Sequence, residues 1–90
     1  MATQQKLMVI NQKGLHARAA AKLVALAEGY DCEILVGSED HFVSALSIMG
    51  LMMFGAAKGS ELVVKAEGVD EINAIEAIKN LFATRFGEES

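Results

Sequence analysis

A single cysteine, Cys32, leaves this chain without any possible intramolecular disulfide. Its neighbours, Asp31-Cys32-Glu33-Ile34, read as the start of a strand and supply neither the cation nor the helix end that activates a thiol. A small, half-buried, inert side chain in a reducing compartment is the expectation. Long apolar runs are missing too. The longest uncharged stretch, Phe42 to Ala57, is broken by Ser44, Ser47, Gly50 and Gly55 and is too short to span a bilayer. The opening residues, Met1 to Lys6, contain no apolar core of signal-peptide length. A cytoplasmic protein with no membrane partner is expected.

Acidic groups are absent from the first 27 residues, which carry Lys6, Lys13, Arg18 and Lys22; the first carboxylate is Glu28. The net charge is nonetheless −4, which excludes a nucleic-acid binder that needs a basic footprint. If the fold gathers those cations, an acidic molecule gains one positive end suited to a small anion or to a partner's acidic surface. No Cys/His cluster, Walker loop, paired carboxylate site or aromatic stacking platform is present. No metal and no cofactor are expected. His41, between Asp40 and Phe42, is assigned a solvated position and no role.

What is present fits one domain spanning residues 1–90, with a thin core offset by an apolar content of 52%. A domain this small has no room for a large buried substrate pocket, so chemistry belongs at a loop or a helix end. The apolar run Lys6 to Ile10 predicts a strand, followed by a turn at Asn11-Gln12-Lys13-Gly14. Ala17 to Glu28 predicts a helix with a stripe at Ala20, Leu23, Val24 and Ala27, ended by Gly29 as its cap. Cys32 to Val36 and His41 to Ser44 read as a hairpin around Gly37 to Asp40. Ser47 precedes a short apolar helix from Ile48 to Phe54, and Glu61 to Glu67 alternates as a strand. Asp70 is placed as the cap of a last helix with a stripe at Ala74, Ile75, Ile78, Leu81 and Phe82. The polar ending, Gly87 to Ser90, is expected to fray. The order β-α-β-β-α-β-α implies an α+β open-faced sandwich, a four-stranded antiparallel sheet covered on one face by three helices.

Gly14-Leu15-His16-Ala17-Arg18 falls where the first turn becomes the first helix. The opening amides of a helix lack intrahelical partners and carry partial positive charge, so an anion is stabilised there. His16 at or next to the N-cap would hold its imidazole over those amides, and Arg18 can offer a guanidinium fork to phosphate oxygens. A neutral imidazole can attack a phosphoryl donor and pass the group onward. The same five residues would also serve an ordinary surface histidine at a helix start.

The string Lys13-Gly14-Leu15-His16-Ala17-Arg18 with Ala19-Ala20-Ala21-Lys22 closely resembles the active-site segment of HPr, the histidine-containing phosphocarrier family of the bacterial phosphotransferase system. Ser47 to Gly59 resembles the same family's regulatory-serine segment. The resemblance covers essentially the whole chain, and the element order above is the family's. It implies that His16 accepts a phosphoryl group on Nδ1 from an enzyme I-type donor charged by phosphoenolpyruvate. The acceptor would be a histidine of an IIA-type protein, and Arg18 would pair with the phosphate. Ser47 would be the site of an ATP-dependent HPr kinase/phosphorylase. The protein would be a carrier rather than an enzyme, and a monomer is expected. Where the family pattern has proline after the arginine, Ala19 stands here. With Leu81-Phe82 and the ending Phe86 to Glu89, this is closer to the nitrogen-related regulatory branch.

Ser47 also reads as a plain N-cap, and the two roles are compatible because phosphate is favoured at a helix N-terminus. In the short helix Leu51 and Phe54 suit the core, leaving Ile48, Met49, Met52 and Met53 on the other arc. That arc, with Ala17 and Ala20, is assigned as a docking patch, since methionine adapts to several partners. Two alternatives remain at this point: a binding module controlled by Ser47 phosphorylation, and a small acylphosphatase-like hydrolase.

Overall fold

The computed structural model describes residues 2–90. Strand β1 (Thr3–Met8) leads to helix α1 (Ala17–Ala27). The hairpin β2 (Glu33–Ser38) and β3 (His41–Ser44) follows, then the short helix α2 (Ile48–Met52). Strand β4 (Glu61–Glu67), helix α3 (Glu71–Ala83) and a closing 3-10 turn (Arg85–Gly87) complete the chain. The sheet order is β1-β4-β2-β3 with every pairing antiparallel, which puts the central pair β4 and β2 inside and leaves β1 and β3 as edges. Alternation decides the faces: Leu62, Val64 and Ala66 of β4, with Ile34 and Val36 of β2, are buried beneath the helices. Their neighbours on the other face are partly exposed, and there Lys65 Nζ lies 4.1 Å from the centre of the Phe42 ring. The open-faced sandwich is therefore as the sequence implies.

The core joins these strand residues to Ala19, Ala20, Leu23 and Ala27 of α1, Leu51 of α2, and Ala74, Ile75, Ile78 and Phe82 of α3. Several local expectations shift. β1 occupies Thr3–Met8 rather than Lys6 to Ile10, because six residues pair in register with β4, from Thr3 opposite Ala66 to Met8 opposite Glu61. Val9 is fully buried but outside the strand, bonded through its backbone to Gly59 and Ser60. Gly29 does not adopt the left-handed cap; α1 ends at Glu28 with right-handed geometry, and Gly29 N–H bonds Leu26 O in a tighter turn. β2 begins at Glu33, leaving Cys32 just outside it and half-buried. Burial first, and then Asp70, raise the Cys32 thiol above its ordinary range, as suits an inert thiol.

Asp70 occupies the N-cap of α3, but its carboxylate does not cap. It accepts the Asp31 N–H at 2.7 Å, tying the α1–β2 connection to the start of α3. Glu71 accepts Gly68 N–H at 3.1 Å, bracing the turn ahead of the helix rather than capping it. The ending, expected to fray, is docked. Phe86 is fully buried against Phe82, with ring centres 4.9 Å apart, and this anchor returns the last residues to the mouth of α1.

Candidate functional site

The path into α1 is fixed before His16 is reached. Gly14 has φ 71°, and a Cβ there would stand 2.3 Å from Ala56 O, so only glycine fits against the α2–β4 connection. The next residue, buried Leu15, donates its N–H to the same Ala56 O at 2.8 Å. His16 follows as the N-cap in an extended conformation (φ −83°, ψ −178°), its carbonyl accepting Ala20 N–H at 2.8 Å. Its side chain makes no capping bond, and no acidic residue lies in the first turn. The amides of Ala17, Arg18 and Ala19 are thus the open donors of the helix end. Ala19 faces the core, fully buried, and α1 forms from Ala17 without a proline.

The imidazole turns instead toward the end of the chain. His16 Nε2 meets Glu88 Oε2, with 27% of the histidine side chain and 15% of the glutamate side chain exposed. Glu88 Oε1 accepts from Asn11 Nδ2 at 2.9 Å. Asn11 is fully buried, and the same Nδ2 donates to Gly14 O at 2.8 Å while Oδ1 has no partner among the described residues. Asn11's donated bond, first, and the His16 contact hold the Glu88 carboxyl below the ordinary carboxylate range. Among the described residues no hydrogen bond reaches His16 Nδ1. Glu88 and Asn11 were not among the residues the sequence singled out. The signal available was Phe86, four positions after Phe82, an aromatic anchor that makes a free tail implausible.

Two further bonds secure that tail: Lys22 Nζ donates to Phe86 O at 2.6 Å, and Gln12 N–H donates to Ser90 O at 3.0 Å. Between the tail and α1 lies an open cleft of about 360 Å³ bordered by Lys13, Arg18 and Lys22. Three of the four early cations are therefore gathered; Lys6, on β1 opposite Val63, is not. Glu88 and Glu89 border the same cleft, so its charge is mixed rather than purely positive. Arg18 is exposed, and among the described residues it forms no ion pair.

Ser47 is the N-cap of α2, its Oγ accepting Gly50 N–H at 3.0 Å. Leu51 is buried and Phe54 half-buried, while Ile48, Met49, Met52 and Met53 are exposed, Met49 and Met53 at 75% and 78%. Leu46, 57% exposed just before Ser47, extends this patch. Ala17 is exposed, but Ala20 is fully buried and is removed from it. The physical reason is helical phase: Ala20 shares its stripe with Leu23 and Ala27 and cannot face solvent while they face the core. α1 packs beside α2. His41 is exposed and edge-on to Phe54, with ring centres 5.8 Å apart. Among the described residues no cluster of metal-ligating side chains occurs, and no helix is long and apolar enough to cross a membrane.

An unblocked helix mouth, an imidazole at its rim with one nitrogen held and the other open, and a nearby free guanidinium can receive and hold a small oxyanion. Known proteins share the surrounding sequence and fold. The family described as the PTS HPr component phosphorylation site matches residues 3–84. The phosphocarrier protein HPr of Cupriavidus necator is 42% identical over 85 residues, spanning 94% of this chain and 96% of that one. The phosphocarrier protein NPr of Klebsiella oxytoca is 36% identical over 90 residues, spanning 99% and 100%. A crystal structure of HPr-C-His from Thermoanaerobacter tengcongensis superposes with a TM-score of 0.92 at 39% identity, over 98% and 99% of the two chains.

Proposed function

The chain belongs to the HPr family of phosphocarriers, and on that premise we propose that it takes a phosphoryl group onto His16 and hands it to a partner protein. The donor is an enzyme I-type protein charged by phosphoenolpyruvate, and the acceptor is a histidine of an IIA-type protein. The observation that carries this reading is an N-cap residue whose side chain leaves the helix amides open. In transfer, the Nδ1 lone pair forms a bond to phosphorus while the phosphorus–donor bond breaks and its electron pair leaves with the donor. The amides of the first turn and the Arg18 guanidinium face the charge on the phosphoryl oxygens. The protein is a stoichiometric carrier in the cytoplasm, with no cofactor of its own.

Partners dock on Ala17 and on the arc of Ile48, Met49, Met52 and Met53. Methionine suits this role because its thioether chain repacks against different surfaces. Ser47 is the regulatory site for a kinase: a phosphate on its oxygen would sit at the start of α2, beside this patch, where added negative charge alters docking.

Incubation with enzyme I and phosphoenolpyruvate, followed by intact-mass measurement, tests the reading. One added phosphoryl group is expected, acid-labile and absent from His16→Ala. An unlabelled native chain, with a donor that labels another HPr, would sink it.

A further inference from the structure

We propose that Glu88, clamped by Asn11, is a positioning residue that keeps the proton of His16 on Nε2 and so leaves Nδ1 as the attacking nitrogen. This rests on the carrier reading of His16 given above and adds to it the groups that decide which ring nitrogen reacts.

The argument starts with what each atom is able to do. Asn11 Nδ2 touches two atoms that can only accept, Gly14 O and Glu88 Oε1, so the orientation of the amide is fixed by its partners. Asn11 is fully buried and has no latitude to swing away. One carboxylate oxygen of Glu88 is thereby pinned, and the other is aimed at the imidazole. An ionised carboxylate accepts and does not donate, so the ring nitrogen it meets must carry the proton. In a neutral imidazole the other nitrogen then holds a free lone pair. That nitrogen, Nδ1, is the one that no protein group engages among the described residues.

The same contact serves the charge created by transfer. When Nδ1 bonds to phosphorus, Nε2 keeps its proton, and the ring acquires one positive charge that the Glu88 carboxylate already faces. No proton has to leave or arrive in either direction. When the group passes on, the electron pair of the N–P bond returns to Nδ1 and the ring is neutral again.

Glu88→Gln is the informative variant because it is nearly isosteric and reverses the logic. Asn11 Nδ2 would claim the carbonyl oxygen of the new amide, leaving its NH2 group facing Nε2. An NH2 group donates, so Nε2 becomes the acceptor and the proton moves to Nδ1. Ring 15N shifts and long-range couplings of His16, in alkaline buffer where imidazole is neutral, read the tautomer without any donor protein. The native chain is expected to show the Nε2–H form and the variant a majority of Nδ1–H. Phosphoryl uptake by the variant is expected to slow by about 10- to 100-fold, the usual effect of removing an outer-shell orienting partner. Backbone spectra unchanged outside the tail would show that the fold is intact. An Nε2–H ring in both proteins, or equal uptake rates, would overturn the positioning role while leaving His16 as the carrier. A native chain that takes no label would overturn the carrier reading, and with it any role for Glu88 in transfer.

Discussion

Two helices of this protein begin within reach of the same surface, and they begin differently. α2 opens on Ser47, whose hydroxyl oxygen closes onto the Gly50 amide at 3.0 Å. α1 opens on His16, whose side chain leaves the first turn alone and engages Glu88. A serine at an N-cap stabilises its helix by about 1 kcal/mol relative to a residue that does not cap. α1 forgoes that contribution. It holds its place through packing instead, with Ala19, Ala20, Leu23 and Ala27 buried and the preceding turn wedged against Ala56. The difference teaches that a helix start left open beside a reactive side chain is a place to look for a ligand.

The sharpest way to break the contrast is to make the first start resemble the second. His16→Ser is expected to abolish phosphoryl uptake entirely while raising stability by up to about 1 kcal/mol, since serine can cap the open amides. Mass spectrometry and thermal unfolding together check both halves. Next in size, Phe86→Ala removes the anchor that brings Glu88 to His16. Loss of a fully buried aromatic should cost about 3 kcal/mol, and hydrogen exchange at Gly87 and Glu88 should rise to that of a free chain. Tail amides that stay protected in this variant would show that Lys22 and Gln12 suffice to dock it.

Converting the second start into an uncapped one is gentler. Ser47→Ala should lower stability by about 1 kcal/mol in denaturant titration and leave His16 labelling by the donor unchanged. The smallest effect comes from pH. The folded Glu88 carboxyl is held below its ordinary range, so its contribution to docking the tail is complete above the ordinary value and is lost as pH falls through the lower, folded one. The chemical shifts of Asn11 and Glu88 should therefore move together in acid below the usual carboxylate range. Independent titration of the two would contradict a shared hydrogen bond.

Much of this architecture could be read from periodicity. β4 matches the alternation of Glu61 to Glu67 residue for residue, and α3 buries Ala74, Ile75, Ile78 and Phe82 of its apolar stripe. The hairpin turns at Glu39 and Asp40, where Glu39 takes a positive φ of 58°. What escaped was set by long-range partners rather than local pattern. Thr3, Gln4 and Gln5 lack the apolar alternation that marks a strand, and β4 recruits them by pairing. At the helix mouth, the position of His16 and Arg18 at the start of α1 was legible because they lie two residues apart, but the imidazole expected over the opening amides turns to Glu88 instead. Asn11 and Glu88 are 77 positions apart and carry no shared motif. The tail looked free because four polar residues end it, and the buried Phe86 just before them was not weighed as an anchor.

The docking of Glu88 also gives the site a history in time. On a chain emerging from the ribosome His16 precedes Glu88 by 72 positions, so the histidine is made well before its carboxylate. The exposed Arg85, two residues upstream of Gly87, offers trypsin a cut that would return the molecule to that juvenile condition. Such a clipped chain would lose the buried Phe86 together with Glu88, and so both the anchor on Phe82 and the carboxylate that faces the imidazole.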